Sequence, residues 1–281
     1  MIKVEQLQFQ YPKTSELTLR SLSFDISKGE IFGFLGPSGA GKSTCQKVLY
    51  KILPGYQGDV VVDGKTLIEW GPEYFHKIGV GFELPNHYLK LTAQENLELF
   101  ASFYNRSQII PFDTLFEKVG LAEDRHKTVD TYSKGMKMRL NFIRAVMHNP
   151  DILFLDEPTT GMDPVNGHKI KEWIRQLKNE GKTIFITTHD MTTADELCDR
   201  VSFIAEGEIK ITDAPEVLKR KHGKHSVEVT LSSEQKKDFA LDNLGNNADF
   251  LEYIQNDIQS IHSQEATLEE VFIAVTGKGL S

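Results

Sequence analysis

The residues with the most distinctive chemistry lie at positions 36–43, where the sequence reads GPSGAGKS. This stretch matches the pattern GxxxxGK[ST], in which backbone N–H groups and the start of a helix surround phosphate oxygens. The apolar run Ile31–Leu35 precedes it and a helical pattern follows, which is the context that the pattern requires. Lys42 can reach the β and γ phosphates, and the hydroxyl of Ser43 can ligate Mg²⁺. The predicted phosphate-binding residues are Gly36, Pro37, Ser38, Gly39, Ala40, Gly41, Lys42, Ser43 and Thr44.

Two carboxylates follow a second apolar segment. Ile152–Leu155 is followed directly by Asp156 and Glu157, and the carboxyl end of a parallel strand is where an α/β sheet binds its ligands. Asp156 is predicted to hold Mg²⁺, directly or through water, and Glu157 to act as the base that polarises an attacking water. An acidic pair before Pro158 is also compatible with a simple turn. Its occurrence beside a complete phosphate loop favours the catalytic interpretation.

The elements that must position these residues alternate between apolar strands and helical patterns, which predicts an α/β fold with a mostly parallel sheet. Residues 2–9 and 22–26 instead alternate apolar with polar residues, which predicts a small antiparallel sheet. Residues from about 93 to 147 are predicted to form an inserted helical subdomain. The runs predicted as strands are Ile31–Leu35, Val60–Val62, Ile78–Phe82, Ile152–Leu155, Thr183–Thr187 and Val201–Ala205.

The length of 281 residues allows one large domain and a small appendage. A shift to Lys-rich and then Asn/Asp-rich sequence predicts a boundary near residue 212. Residues 1–212 would form the large domain, and residues 213–281 a small α+β domain whose last helix begins at Thr267 in a capping box with Glu270.

Composition excludes several classes of function. The net charge of −8 argues against a protein that mainly grips nucleic acid. The first residues, MIKVEQLQFQYPK, do not resemble a signal peptide, and no apolar run approaches the roughly 18 residues that span a bilayer. Cys45 and Cys198 are too far apart in sequence to suggest a zinc motif or a disulfide framework. We therefore expect a cytoplasmic protein whose membrane role, if any, depends on a partner.

One further segment connects these motifs to a known family. Residues 132–136 read YSKGM and resemble the LSGGQ signature of the nucleotide-binding subunits of ABC transporters, which are P-loop NTPases. The resemblance implies that Ser133 and Gly135 close over the γ-phosphate held by another subunit. Read without it, Ser133 would simply be a helix N-cap. The departures from the signature are Tyr132, Lys134 and Met136, variants that are common in the exporter branch of the family.

Other positions match the family in the same order along the chain. Asp163, in the segment Gly-Met-Asp, resembles the D-loop residue, and His189 stands where the family has the switch histidine that contacts the γ-phosphate. Tyr11 resembles the aromatic residue that stacks on adenine. Glu83 occupies the place of the usual Q-loop glutamine, where a carboxylate can still ligate Mg²⁺ but adds a negative charge.

The resemblance extends over nearly the whole chain, because Leu268–Phe272 is similar to the tail of ATPases that serve ABC-2-type exporters. It implies hydrolysis of ATP with Mg²⁺ to drive export through a separate polytopic permease. A second ATPase subunit, making a homodimer, would complete the site. The protein would lie on the inner face of the cell membrane and would need no nucleic acid.

Three alternatives remain at this point. An ABC-type importer would have the same core motifs. A soluble ABC ATPase that acts on nucleic acid or ribosomes usually has two cassettes or a long coiled-coil insertion, and this sequence has neither. A P-loop kinase of small molecules would share GPSGAGKS, but it has no reason to contain YSKGM, the Asp156–Glu157 pair and His189 in this order.

Overall fold

The computed structural model describes residues 2–12, 14–223, 226–264, 266–277 and 279. The chain divides into two compact units, of which the first ends at Thr212 and the second begins at Asp213. Within the described ranges, no helix is both long enough and apolar enough to cross a membrane.

The first unit consists of strands and helices that largely alternate along the chain. Its strands are β1 (Ile2–Phe9), β2 (Leu19–Ile26), β3 (Ile31–Leu35), β4 (Gln57–Val62), β5 (Lys65–Thr66), β6 (Ile78–Gly81), β7 (Ile152–Asp156), β8 (Thr183–Thr188), β9 (Arg200–Ala205) and β10 (Glu208–Asp213). Its helices are α1 (Lys42–Leu49), α2 (Tyr74–Lys77), α3 (Ala93–Ala101), α4 (Phe112–Lys118), α5 (Lys134–Val146), α6 (Pro164–Asn179) and α7 (Met191–Leu197).

The main sheet has six strands in the order β10-β9-β3-β8-β7-β6. The pairs β9–β3, β3–β8, β8–β7 and β7–β6 are parallel. Strands β3, β7 and β8 are buried along their whole length, which agrees with their nearly continuous apolar sequences. The predicted α/β fold with a mostly parallel sheet is confirmed.

A separate antiparallel sheet has the order β2-β1-β4-β5. Ile2 pairs with Ile26 on one side and with Val62 on the other, so the predicted antiparallel subdomain is also confirmed. The assignment of Val60–Val62 to the parallel sheet is wrong, because this run belongs to β4. Three consecutive apolar residues fit either kind of sheet, so the pattern alone did not decide between them.

Helices α3, α4 and α5 occupy the stretch between Ala93 and Val146, which the sequence predicts to be mostly helical. Helix α3 starts in a capping box, since the Thr92 side chain accepts from the Glu95 N–H and the Glu95 carboxylate accepts from the Thr92 N–H. Helices α6 and α7 each follow a strand of the parallel sheet, as the alternating pattern requires.

The second unit has a three-stranded antiparallel sheet in the order β12-β11-β13, formed by β11 (Ser226–Leu231), β12 (Lys236–Ala240) and β13 (Ile258–Gln264). Its helices are α8 (Pro215–His222), α9 (Ala248–Tyr253) and α10 (Leu268–Thr276). The predicted capping box of Thr267 and Glu270 is present at the start of α10. A small apolar core of this unit contains Val227, Val229, Leu231 and Phe239.

Aromatic packing holds the centre of the parallel sheet in the first unit. The Phe185 ring on β8 lies with its centroid 5.2 Å from that of Phe34 and 5.9 Å from that of Phe32, both on β3. Its centroid is also 6.1 Å from that of Phe154 on β7. Because Phe185 is fully buried among rings from both neighbouring strands, it fixes the packing of the three strands that lead to the site.

We expect Phe185→Ala to lower the free energy of unfolding of the first unit by about 3–5 kcal/mol, because it leaves a cavity between buried rings. Urea denaturation followed by tryptophan fluorescence measures this directly, since both tryptophans, Trp70 and Trp173, lie in the first unit. The matched control is Phe103→Ala, because Phe103 is 69% exposed and its loss should cost less than about 0.5 kcal/mol. Equal effects of the two changes would contradict this account of the core.

Candidate functional site

A cavity of about 370 Å³ opens where β3, β7 and β8 end. This is the edge of a parallel sheet at which α/β proteins usually bind their ligands. The cavity brings together side chains from the phosphate loop, from the acidic strand end and from the segment after β8. Its lining comprises Thr18, Ser38, Gly39, Gly41, Lys42, Ser43, Thr44, Glu83, Asp156, Glu157 and His189.

The glycines of the phosphate loop are needed for its shape. A Cβ at Gly36 would lie 2.1 Å from the backbone oxygen of Ile204, so the loop leaves β3 in close contact with β9. Gly41 has a φ of 106° and is the N-cap of α1. Because Gly41 has no side chain to cap the helix, the first N–H groups of α1 can donate to phosphate oxygens. The predicted residues Gly36, Pro37 and Ala40 belong to this loop but are outside the described lining of the cavity.

Lys42 is the cation nearest to the loop. Its Nζ donates to the backbone oxygens of Gly36, at 2.6 Å, and Pro37, at 2.9 Å. Burial of this side chain, which belongs to a residue only 8% exposed, lowers the pKa of Lys42, while the nearby carboxylates act in the opposite direction. The ammonium group is therefore held inside the loop, where phosphate oxygens can replace the two carbonyls.

Oxygen donors suitable for Mg²⁺ face the same cavity. Ser43, Glu83 and Asp156 all line it, and one Asp156 oxygen accepts a hydrogen bond from the Thr187 hydroxyl. Among the described residues, no group of three or more His, Cys, Asp or Glu side chains forms a ready metal site. Mg²⁺ usually binds through one or two protein oxygens together with substrate phosphates and waters.

The Glu157 carboxylate is surrounded by hydrogen-bond donors. Its Oε1 accepts from the backbone N of His189 at 2.9 Å and lies 2.6 Å from His189 Nδ1. Its Oε2 accepts from the hydroxyls of Thr188, at 2.9 Å, and Thr160, at 3.1 Å. The backbone of Glu157 has a φ of 51°, which is uncommon for a residue other than glycine. Its N–H donates to the backbone oxygen of Thr187. An uncommon backbone conformation together with a fully hydrogen-bonded carboxylate at a strand end is typical of a functional position.

The signature residues lie elsewhere on the first unit. Ser133 is exposed and its Oγ accepts from the N–H of Met136 at the start of α5, as an N-cap does. Asp163 caps α6 in the same way, and its hydrogen bonds with Asn166 lower the pKa of its carboxyl group. Ser133, Gly135 and Asp163 are not among the described residues that line the cavity.

Tyr11 lies at the margin of the phosphate loop. Its hydroxyl is 3.2 Å from the Oγ1 of Thr44, and its ring packs edge-on against Phe9 with centroids 5.0 Å apart. Tyr11 also lines a separate cavity of about 360 Å³. It is therefore close to the site without being part of the described lining of the phosphate cavity.

Comparisons with known proteins agree with this geometry. Residues 19–160 match the profile of the ABC transporter family, and residues 227–265 match that of the fluoroquinolone efflux ABC transporter C-terminal domain. A fluoroquinolones export ATP-binding protein of Mycobacterium tuberculosis is 49% identical over 100% of this chain and 95% of its own length. The chain belongs to the ABC transporter ATP-binding family. This confirms the resemblance seen in the sequence and excludes the small-molecule kinase.

More distant relatives of this ABC ATPase include the bacitracin transport ATP-binding protein BcrA of Bacillus licheniformis, 34% identical over 84% of this chain and 76% of its own. A solved ATP-binding subunit of an ABC transporter has a TM-score of 0.71 and 28% identity, and covers 79% of this chain and 93% of its own. A cassette dimer in a post-hydrolysis state with ADP and Pi has a TM-score of 0.69 and 26% identity, over 76% of this chain and 98% of its own. The protein is an ATPase that uses ATP and Mg²⁺, as predicted.

The sequence of this ABC ATPase did not lead us to predict several residues that the structure places in the site. Thr160 and Thr188 bind the Glu157 carboxylate, and Thr187 binds Asp156. Thr18 lines the cavity although it directly precedes β2 and belongs to none of the sequence motifs. Thr187 and Thr188 could have been predicted, because two consecutive hydroxyl residues end a strand directly before the proposed catalytic residue His189, and such a strand end can supply hydrogen-bond donors to the site.

We expect Lys42→Ala to abolish hydrolysis nearly completely and to weaken nucleotide binding, because it removes the only lysine among the described residues that line the cavity. Phosphate release and titration with a fluorescent ATP analogue measure the two effects. Lys47→Ala on the same helix is the matched control, since Lys47 is outside the described lining. Unchanged turnover of the Lys42 variant would contradict the assignment of the site.

Proposed function

We propose that this ABC ATPase powers the export of an antimicrobial compound, with fluoroquinolones as the first candidates, through a separate membrane permease. The observation that carries the proposal is the 49% identity to fluoroquinolones export ATP-binding proteins over the whole chain. The second unit supports it, because residues 227–265 match a C-terminal domain of fluoroquinolone efflux transporters. Residues 1–212 would be the ATPase domain and residues 213–281 an accessory domain.

In the proposed reaction, the loop and Lys42 bind the triphosphate and Glu157 accepts a proton from the attacking water. Mg²⁺, when bound, neutralises phosphate charge, and Ser43, Asp156 and Glu83 would supply its protein oxygens. His189 orients Glu157 through Nδ1, which must be the donor because a carboxylate oxygen only accepts. In a neutral imidazole Nε2 then has a free lone pair. Donation from Nε2 to a phosphate would require a second proton or release of Glu157.

A second copy of the chain would complete the site. Ser133 and Asp163 are exposed and lie outside the described lining of their own cavity, which supports a role in which they face another subunit. A hydroxyl and a helix N-terminus suit a polyanion. In this arrangement Ser133 and Gly135 contact the γ-phosphate bound by the partner, and Asp163 lies at the same interface. Tyr11 would stack on adenine next to Thr44.

The permease would dock beside the segment from Glu83 to Leu91. Large apolar side chains are exposed there, including Leu84, which is 72% exposed, Tyr88 and Leu89. Leu84 also lines a cavity of about 420 Å³, whose wall includes residues of β6, α3 and α5. Exposed apolar patches of this kind commonly mark protein interfaces. Through this contact the ATPase would be held at the inner face of the membrane.

Assembly can be tested with Glu157→Gln. We expect this variant to bind MgATP, to fail to hydrolyse it, and to form a stable dimer on size-exclusion chromatography. The change removes the proposed base and one of several negative charges that oppose closure around ATP. ATP that binds the dimer better than the monomer must shift the equilibrium toward the dimer.

ADP should not support the dimer, because it lacks the γ-phosphate. Adding Ser133→Arg to the Glu157 variant should abolish dimer formation while leaving nucleotide binding to the monomer intact. If the Glu157 variant stays monomeric at saturating MgATP that it binds tightly, the dimer mechanism does not apply to the isolated chain. If the double variant lost nucleotide binding as well as dimer formation, Ser133 would belong to the nucleotide pocket of its own subunit.

The cargo can be tested in cells that express the ATPase together with the permease that copurifies with it. We expect lower accumulation of a fluorescent fluoroquinolone and a higher inhibitory concentration than in cells that express Lys42→Ala with the same permease. Bacitracin and a lantibiotic serve as alternative cargoes. Protection against one of these without any effect on fluoroquinolones would reject the drug class, and uptake instead of efflux would reject export.

A further inference from the structure

The side chains that bind the two oxygens of the Glu157 carboxylate differ in exposure. Oε1 accepts from the backbone N–H of His189 at 2.9 Å and contacts the imidazole of the same residue, which is 56% exposed. Oε2 is bound by the hydroxyls of Thr188, which is buried, and Thr160, which is half-buried. A rotation of the His189 side chain would therefore free one position on Oε1, while the backbone N–H of His189 and both hydroxyl contacts to Oε2 would remain.

The Thr188 hydroxyl has a fixed orientation. Its Oγ1 accepts from the backbone N of Asp190 at 3.0 Å, which leaves its proton for Glu157. Thr160 reaches the same oxygen from a different segment, the turn that follows β7. Its N–H donates to the Glu157 backbone oxygen at 3.2 Å, so the turn itself brings the Thr160 hydroxyl back to the carboxylate.

We propose that Thr160 is a positioning residue for hydrolysis, whose hydroxyl acts with that of Thr188 to fix Oε2 of Glu157 and so present Oε1 to the attacking water. The proposal rests on the role of Glu157 as the base. In the reaction the water proton passes to Oε1 while the water oxygen bonds to the γ-phosphorus. The bond from that phosphorus to the bridging oxygen of ADP then breaks, and ADP leaves with the electron pair.

Two donors on one oxygen are effective because a glutamate side chain has three rotatable bonds. The Thr188 hydroxyl and the backbone N–H of His189 each hold one oxygen, which still leaves the carboxylate plane free to turn about the line that joins its two oxygens. The further bond to Oε2 from a different element, the turn after β7, restricts that rotation. Small displacements of a catalytic group lower the rate strongly, and a base must lie within hydrogen-bond reach of its proton.

The test compares Thr160→Val, which has nearly the same shape without the hydroxyl, with Thr160→Ser, which keeps the hydroxyl. We expect the valine variant to have a kcat about tenfold lower, with KM for MgATP and the dissociation constant of a fluorescent ATP analogue changed less than about twofold. The serine variant should keep the wild-type kcat. In the Glu157→Gln background, the valine change should not lower the residual rate further, because the carboxylate that it positions is gone.

Several results would overturn the proposal. The valine variant could have the wild-type kcat, or the serine variant could be as slow as the valine variant. The valine variant could also lose nucleotide binding by as large a factor as kcat, or it could lower the residual rate of the Glu157→Gln background by the same factor as in the wild type. If the valine variant does not fold, Thr160→Ala takes its place under the same criteria. Normal hydrolysis by Glu157→Gln alone would instead reject the role of Glu157 itself, so the two failures are distinguishable.

Discussion

The parallel register of β3, β8 and β7 determines where the reactive groups of this protein lie. Leu35 pairs with Thr188, and Asp156 pairs with Thr187. The phosphate loop, the two carboxylates and His189 therefore leave the sheet at the same level. A shift of one residue in any of these strands would turn its side chains to the opposite face and separate the groups. Close packing of Phe185 with rings on both neighbouring strands opposes such a shift.

The phosphate loop depends on the same strands through α1. Gln46 is buried, and its amide donates to the backbone oxygens of Leu155 on β7, at 3.2 Å, and Phe185 on β8, at 3.3 Å. A buried amide bonded to two strands holds the helix in one orientation, because leaving those groups unpaired would be costly. The N-terminus of α1 is thereby directed at the cavity, where its N–H groups favour an anion.

The charges of the site make its substrate and metal dependent on each other. Asp156, Glu157 and Glu83 all act on the pKa of Lys42, so acidic groups outnumber the single lysine in the described lining of the cavity. A triphosphate adds further negative charge, which a divalent cation offsets. Glu83, predicted to stand in place of the family's usual glutamine, adds to the negative charge of the lining. Because of the same excess of negative charge, the proposed closure of two subunits around the nucleotide is expected to be sensitive to a single carboxylate.

The sequence by itself predicted the loop after β3, the carboxylates at the end of β7 and the alternating pattern of the parallel sheet. These predictions were possible because the features are local, and because loop shape, apolar burial and strand ends each restrict residue types over a few positions. It placed Val60–Val62 in the wrong sheet and missed Thr160 and Thr188. Strand partners and hydrogen bonds between Glu157 and Thr188 join residues far apart in the chain, and threonine is common in turns and strands for other reasons. Thr160 lies only three residues after Glu157, and its contact depends on the conformation of the turn after β7. Only the tertiary structure decided the strand partners and the contact with Thr188, because these arise from packing of separate segments and leave no periodic pattern.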